Sequence, residues 1–264
     1  MELVMTKFRT EGGMGIITLN SPKTLNAFDG DMNPELLYLL NYVERDPKVR
    51  VVIIEGLEKA FCAGGNLKVF YNEYKEKGRL ELDELVIQAA QIASTIKKMG
   101  KLVITSISGT AAGAGANLAL AGDFVLAAEN VKISQAFANV GLATDTGGAF
   151  LLCRAIGSQR AMELCISGRE LCAQEAKELG LVNEVYPVDA LQECTMEFAK
   201  KLVAGPTKAY ANIKRQIYAA TYADYDAYLH TVEIPLQCAS MKTRDFEKAI
   251  CSFVEKIPLV FSGE

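Results

Sequence analysis

The chain has 264 residues, half of them apolar and 23% charged, with a net charge of −4. That is ample apolar material for one large core with a smaller appended region. The acidic balance and the absence of a basic run argue against a nucleic-acid partner, and no apolar stretch reaches the ~18 residues of a membrane span.

The first residues carry Glu2 and no long apolar run, which fits neither a signal peptide nor an Arg-rich transit peptide, so the cytoplasm is the expected location. Cys62, Cys153, Cys165, Cys172, Cys194, Cys238 and Cys251 form no CxxC pair and are odd in number, the pattern of reduced thiols. His230 is the only histidine, so no clustered ligand set for a metal is expected.

Met1 to Leu19 reads as two strands joined at Glu11-Gly12-Gly13, and Asn20-Ser21-Pro22 as a turn. Met32 to Glu44 has helical spacing, and Val49 to Ile54 is a β-branched run of the kind found in buried parallel strands. A loop with Ala63-Gly64-Gly65 follows, then a charge-laced helical stretch to Met99. Leu102 to Ile107 reads as a second buried strand, Gly109 to Gly122 is rich in Gly and Ala, and Asp123 to Ala128 and Val131 to Ser134 resume strand character. From Ala161 onward nearly everything reads as helix, broken at Gly180, Pro187, Gly205-Pro206 and Pro235. Strands alternating with helices, then a helical tail, predict an α/β core over residues 1–200 and a C-terminal helical region over 201–264.

Familiar nucleotide and hydrolase signals fail. The run from Gly113 to Leu118 begins like GxGxxG but has Leu118 in place of the third glycine, and neither a P-loop nor a GxSxG elbow occurs. Two small-residue segments remain, 61–67 after one buried strand and 109–118 after the other. Small residues let a ligand approach the main chain, and a helix start offers unpaired N–H groups, so two such loops could form an oxyanion hole. The same composition also suits tight packing of helix on strand. Asp145 stands among small residues just before the helical pattern AFLLCRAI, which on local grounds reads as a helix N-cap.

Taken in order, ITLNSPKTLNAF, VVIIEG with KAFCAGGNLK, GTAAGAGANLALAGD, VGLATDTGGAFLL, AKELGLVNEVY and FVEK resemble the crotonase (enoyl-CoA hydratase/isomerase) superfamily over nearly the whole chain. The resemblance implies a spiral of ββα units with a C-terminal helical region that mediates assembly into homotrimers or hexamers. It implies an acyl-CoA or acyl-carrier thioester as substrate, with coenzyme A part of the substrate and no separate cofactor. By position, the oxyanion donors would be the N–H groups of Ala63 and Ala114. Backbone around Leu25, Ala27, Gly64, Gly65, Asn66 and Leu67 would contact adenine and pantetheine, and Lys256 would lie near the CoA phosphates of its own or a neighbouring subunit.

The departures carry as much information. Where family hydratases hold two glutamates at the acyl site, this chain has Asn117 and Phe137, neither of which is a base. Asp145 matches a position where some family isomerases and the chlorobenzoyl-CoA dehalogenases carry a working aspartate. A single carboxylate suffices to move a proton between carbons, so the favoured expectation is an enoyl-thioester isomerase. The alternatives are a hydratase whose water is placed by Asp145 and Asn117, a dehalogenase or hydrolase with Asp145 as nucleophile, and a non-catalytic binding or scaffold homologue.

Overall fold

A computed structural model describes residues 2–56 and 59–263; Met1 and Glu264, the ends of the expected core and tail, lie outside them. Strands β1 (Thr6–Glu11) and β2 (Met14–Leu19) form the expected hairpin and lead to α1 (Met32–Arg45). Three ββα turns follow. The first is β3 (Val51–Gly56), β4 (Ala60–Cys62) and the helices α2 (Leu67–Lys77) and α3 (Asp83–Lys98). The second is β5 (Leu102–Ile107), β6 (Thr110–Ala112) and α4 (Ala114–Ala121). The third is β7 (Phe124–Ala128), β8 (Lys132–Ser134) and α5 (Gly148–Ile156).

In each turn the first strand joins a six-stranded sheet and the second joins a smaller sheet, which makes the chain a spiral. The large sheet runs β1-β2-β3-β5-β7 and ends on β10 (Glu184–Tyr186), parallel apart from the β1–β2 hairpin. The small one runs β4-β6-β8 and ends on β9 (Glu170–Cys172). Residues Val51 to Ile54 of β3 and Val103 to Ile107 of β5 are buried, apolar except at Thr105 and Ser106, because helices cover both faces of the large sheet. Two apolar clusters sit on opposite sides of it, the smaller one under α8 (Leu191–Ala204), whose Leu191 and Ala199 face Ile53 and Ile104.

The helical reading beyond Ala161 needs correction. Helices α6 (Ser158–Ser167) and α7 (Ala173–Glu178) are interleaved with β9 and β10. Each of these strands has three residues, too few to display a period of two, and each exists because an outer strand of a sheet needs a partner. Residue 200 lies within α8, which runs on to the break at Gly205-Pro206. Beyond it lie α9 (Thr207–Thr221), α10 (Tyr225–Tyr228), a π-helical turn over Leu229–Glu233, α11 (Ile234–Ser240) and α12 (Arg244–Glu255). Pro235 does not break the helix as expected; it sits in the first turn of α11, where its missing N–H is tolerated, and the π-helical turn precedes it. Phe246 and Ile250 of α12 and Met241 close a third cluster over Phe70 of α2 and Val86 of α3. Among the described residues no helix is long and apolar enough to cross a membrane.

Candidate active site

Two loops at the ends of the small sheet's strands meet because glycine lets them. Gly115, in the first turn of α4, has no room for a side chain: a Cβ there would lie 2.2 Å from the carbonyl oxygen of Cys62 in β4. Gly64 is at φ +87°, and a Cβ would lie 2.7 Å from the carbonyl oxygen of Ala112 in β6. The loop from Ala63 to Asn66 is thus pressed backbone-to-backbone against the start of α4.

That loop is also paired with the segment after β2. Phe28 N–H donates to Gly64 O (2.7 Å), Asn66 N–H donates to Phe28 O (2.9 Å), and Ala63 N–H donates to Leu25 O (3.0 Å). The segment holds its place through Asn26, which tolerates its left-handed φ of 58°. Its amide side chain donates to the carbonyls of Ala60 and Phe61 and accepts from Ser21 N–H. Asn66 caps α2 and donates to Asp29.

The expected donor Ala63 is therefore corrected: its N–H is already engaged by Leu25. Gly65 is the residue bridged to Phe28 in parallel fashion, so its own N–H points away from that partner. Among the described residues no acceptor takes the N–H of Gly65 or of Ala114, which opens α4 as one of the unpaired donors of a helix start. Both residues line the same apolar cavity.

The third contribution is the turn from Thr144 to Gly148. Asp145 is 6% exposed and lines that cavity, and it is the only titratable side chain among the described residues that does. Its Oδ1 accepts from Thr146 Oγ1 (2.7 Å) and its Oδ2 from Gln237 Nε2 of α11 (3.1 Å). Burial pushes its pKa up to about 6, against the pull of those two hydrogen bonds. It is not the N-cap that its sequence position suggests; Gly147 is the cap, and Asp145 contributes only its backbone carbonyl, to Gly148 N–H (2.9 Å). Thr146 is held at φ +55°, an uncommon conformation for a β-branched residue and a sign that its neighbours over-determine the turn.

Asn117 does not reach the cavity. Fully buried, it donates to Asp145 O (2.7 Å) and Thr144 Oγ1 (3.1 Å) and accepts from Gln135 Nε2 (2.8 Å), so it fastens the Asp145 turn to α4. Phe137 does line it, packing over Gly113. Gly64 and Leu67 are wall residues too, whereas Leu25, Ala27 and Asn66 lie outside the lining. Lys256 follows α12 at the surface with its ammonium over the Phe253 ring, and its own chain does not bring it to the cavity. The rest of the wall is apolar, with Phe28, Phe70, Leu85, Val86, Leu142 and Met241 prominent.

Thr146, Gln135, Gln237 and Glu233 were not among the expected site residues. Glu233 is 2% exposed and its Oε1 accepts from Gly147 N–H (2.7 Å). Glu233 and Gln237 stand four apart, one helical turn, but in a segment where polar residues at that spacing are ordinarily solvated.

The spiral of ββα turns thus brings one loop amide and one helix-start amide, both unpaired among the described residues, and a buried carboxyl to a single apolar cavity. The chain belongs to the enoyl-CoA hydratase/isomerase family, whose model matches residues 9–264. It is 32% identical over 257 residues to the trans-2-decenoyl-[acyl-carrier-protein] isomerase of Streptococcus mutans, covering 97% of each chain. It is 32% identical over 268 residues to the 1,2-epoxyphenylacetyl-CoA isomerase of Escherichia coli, covering 100% of each. It is also similar to the crystal structure of an enoyl-CoA hydratase from Mycobacterium avium subsp. paratuberculosis, with a TM-score of 0.90 and 29% identity over 99% of this chain and 100% of that one.

Proposed function

We propose that the protein is an enoyl-thioester double-bond isomerase in which Asp145 carries the proton. The observation behind this reading is that Asp145 is the one titratable side chain on the cavity wall among the described residues. A carboxylate with a pKa near 6 is mostly ionised at neutral pH yet basic enough to take a proton and return it. Asp145 removes a proton from the carbon between the thioester and the double bond of a 3-enoyl group. The electron pair moves onto the thioester oxygen, where the N–H groups of Gly65 and Ala114 accept the negative charge. The neutral carboxylic acid then delivers the proton to the far carbon, and the 2-enoyl product forms with no net gain of atoms. The reverse direction uses the same groups, and no cofactor is needed beyond the coenzyme A or carrier group that the substrate brings.

Hydration needs a second polar group to hold and split water. Asn117 is turned into the protein with its polar atoms engaged, and Phe137 offers the cavity only a ring. The apolar wall fits an aliphatic acyl chain, and the decenoyl isomerase relative supports that substrate class. The test is product mass in isotopic water. With enoyl-CoA in heavy-oxygen water the product should gain no oxygen, while deuterated water should label it at carbon only to the extent that the Asp145 acid exchanges its proton with solvent before returning it. Incorporation of water oxygen as the main product would overturn the assignment in favour of a hydratase.

The working assembly is proposed to be a trimer or a dimer of trimers. Ile213 and Ile217 on α9, and Met162 and Ile166 on α6, are 49–68% exposed, which leaves apolar surface for neighbouring subunits. Light scattering coupled to size exclusion should return three or six times the chain mass. A fully active monomer would count against it.

A further inference from the structure

Behind the Asp145 turn lies a second carboxyl that the reaction does not touch. Glu233 Oε1 accepts from Gly147 N–H, while its Oε2 is buried without a partner among the described residues. Gln237 Oε1 and Tyr225 Oη are likewise buried and unpartnered, and Tyr225 Oη packs against Gly147, where a Cβ would lie 1.7 Å from it. Glu233 has no ion-pair partner among the described residues. An ionised carboxylate buried without a cation and within the field of Asp145 would carry a heavy desolvation penalty as well as repulsion. A neutral acid in the same place still accepts the Gly147 N–H and has a proton to offer the unpartnered oxygens or a water between them.

We propose that Glu233 is a positioning residue that holds the Asp145 turn as a neutral acid, so that the two carboxyls carry one negative charge between them. The proposal rests on Asp145 being the proton carrier. Burial raises the Glu233 pKa to about 8, in line with this arrangement. The ionisable groups facing it are Asp145 on the turn, Tyr225 and Tyr228 on α10. Both tyrosines are raised above their ordinary value and stay neutral throughout; His230 on the same helical turn is at the surface. As pH rises through about 8 Glu233 ionises, and the enolate must then form beside an extra buried charge.

Glu233→Gln imitates the neutral acid and keeps the acceptor for Gly147, whereas Glu233→Leu removes it. The glutamine variant should turn over within about threefold of the wild type near neutral pH, with KM unchanged. The wild type should lose about tenfold in kcat above pH 8, through charge repulsion in a low-dielectric site, and the glutamine variant should not. The leucine variant should lose about tenfold or more in kcat at every pH, having orphaned the Gly147 N–H.

Two readouts need no turnover. Infrared difference spectroscopy near neutral pH should find a protonated buried carboxylic acid in the wild type that is missing from Glu233→Gln. A carboxyl whose folded pKa is raised binds a proton in the native state that the unfolded chain releases. The wild type should therefore lose thermal stability as pH rises from about 4.5 to about 8, and Glu233→Gln should lose that part of the slope. An absent infrared band, a band that survives in Glu233→Gln, or identical alkaline limbs in both proteins would overturn the proposal. A folded Glu233→Gln as slow as the leucine variant would do so as well, since the ionised form would then be required. Should the isotope test defeat the isomerase reading instead, the infrared and stability results still report on Glu233 by themselves.

Discussion

Asp145→Asn should slow the proposed enoyl-thioester isomerisation by about 10²–10⁴, the usual worth of a general acid–base, and should leave the fold as stable as before or more so. The loss follows because an amide neither takes nor returns a proton at carbon. The stability expectation follows from the surroundings. Asp145 accepts from Thr146 Oγ1 and Gln237 Nε2, and an asparagine in its place has one acceptor oxygen and one donor nitrogen. The Thr146 hydroxyl keeps the oxygen, and Gln237 needs only to turn its amide over, since its own Oε1 has no partner to lose. The variant also removes a charge that the fold holds at a cost. The Asp145 pKa is raised from 3.8 to about 6, so the folded protein loses stability as pH rises across that window and lacks it at neutral pH. The melting temperature of Asp145→Asn near neutral pH should match or exceed that of the wild type. A large drop in melting temperature with turnover nearly intact would mean that Asp145 is a structural residue.

Ala114→Pro should cost about 10²–10³ in kcat, the loss measured for one oxyanion donor elsewhere, with a smaller change in KM. The helix tolerates the substitution here. Ala114 is the first residue of α4, the position at which a helix accepts proline most readily, because its N–H has no partner within the helix. What changes is the group directed at the cavity, where the proline Cδ takes the place of the donor hydrogen, while the residues behind it keep their contacts: Gly115 against Cys62, and Asn117 on the Asp145 turn. Thermal melting and far-ultraviolet dichroism establish that the variant folds. Undiminished kcat in a folded Ala114→Pro protein would remove this amide from the mechanism.

The strands that build the large sheet were legible because burial on both faces writes itself into the sequence as unbroken runs, VVIIE and LVITSI. β9 and β10 were not, since three residues that complete a sheet edge follow from the neighbour rather than from their own pattern. The small-residue loops marked segments that line the cavity. Which amide faces the cavity was a different question, settled by register. Ala63 and Gly65 have similar surroundings in the sequence, and only the pairing of Phe28 with the Gly65 segment turns one N–H inward to Leu25 and leaves the other free. Asp145 was nominated by family position, against a local pattern that favoured a cap. Glu233 and Gln237 were invisible for a related reason. Polar residues one turn apart on a helix usually face water, and these two are buried because α10, α11 and the π-helical turn between them fold back over the Asp145 turn.

The close approach of Gly115 to Cys62 has a consequence for how such an enzyme can diversify. The contact fixes the two cavity-facing amides through main chain alone, and the small sheet anchors β4 and β6, the strands that lead to them. The apolar wall is made of something else: side chains from α2, α3 and the end of α11, among them Phe70, Val86 and Met241. On the proposed reading, exchanging those side chains should change which chains or rings are admitted without moving the donors, so substrate range could drift while the reacting geometry is inherited intact. Selection for a new acyl group, natural or in the laboratory, should accordingly accumulate changes on those helices and leave residues 63–65 and 113–115 alone.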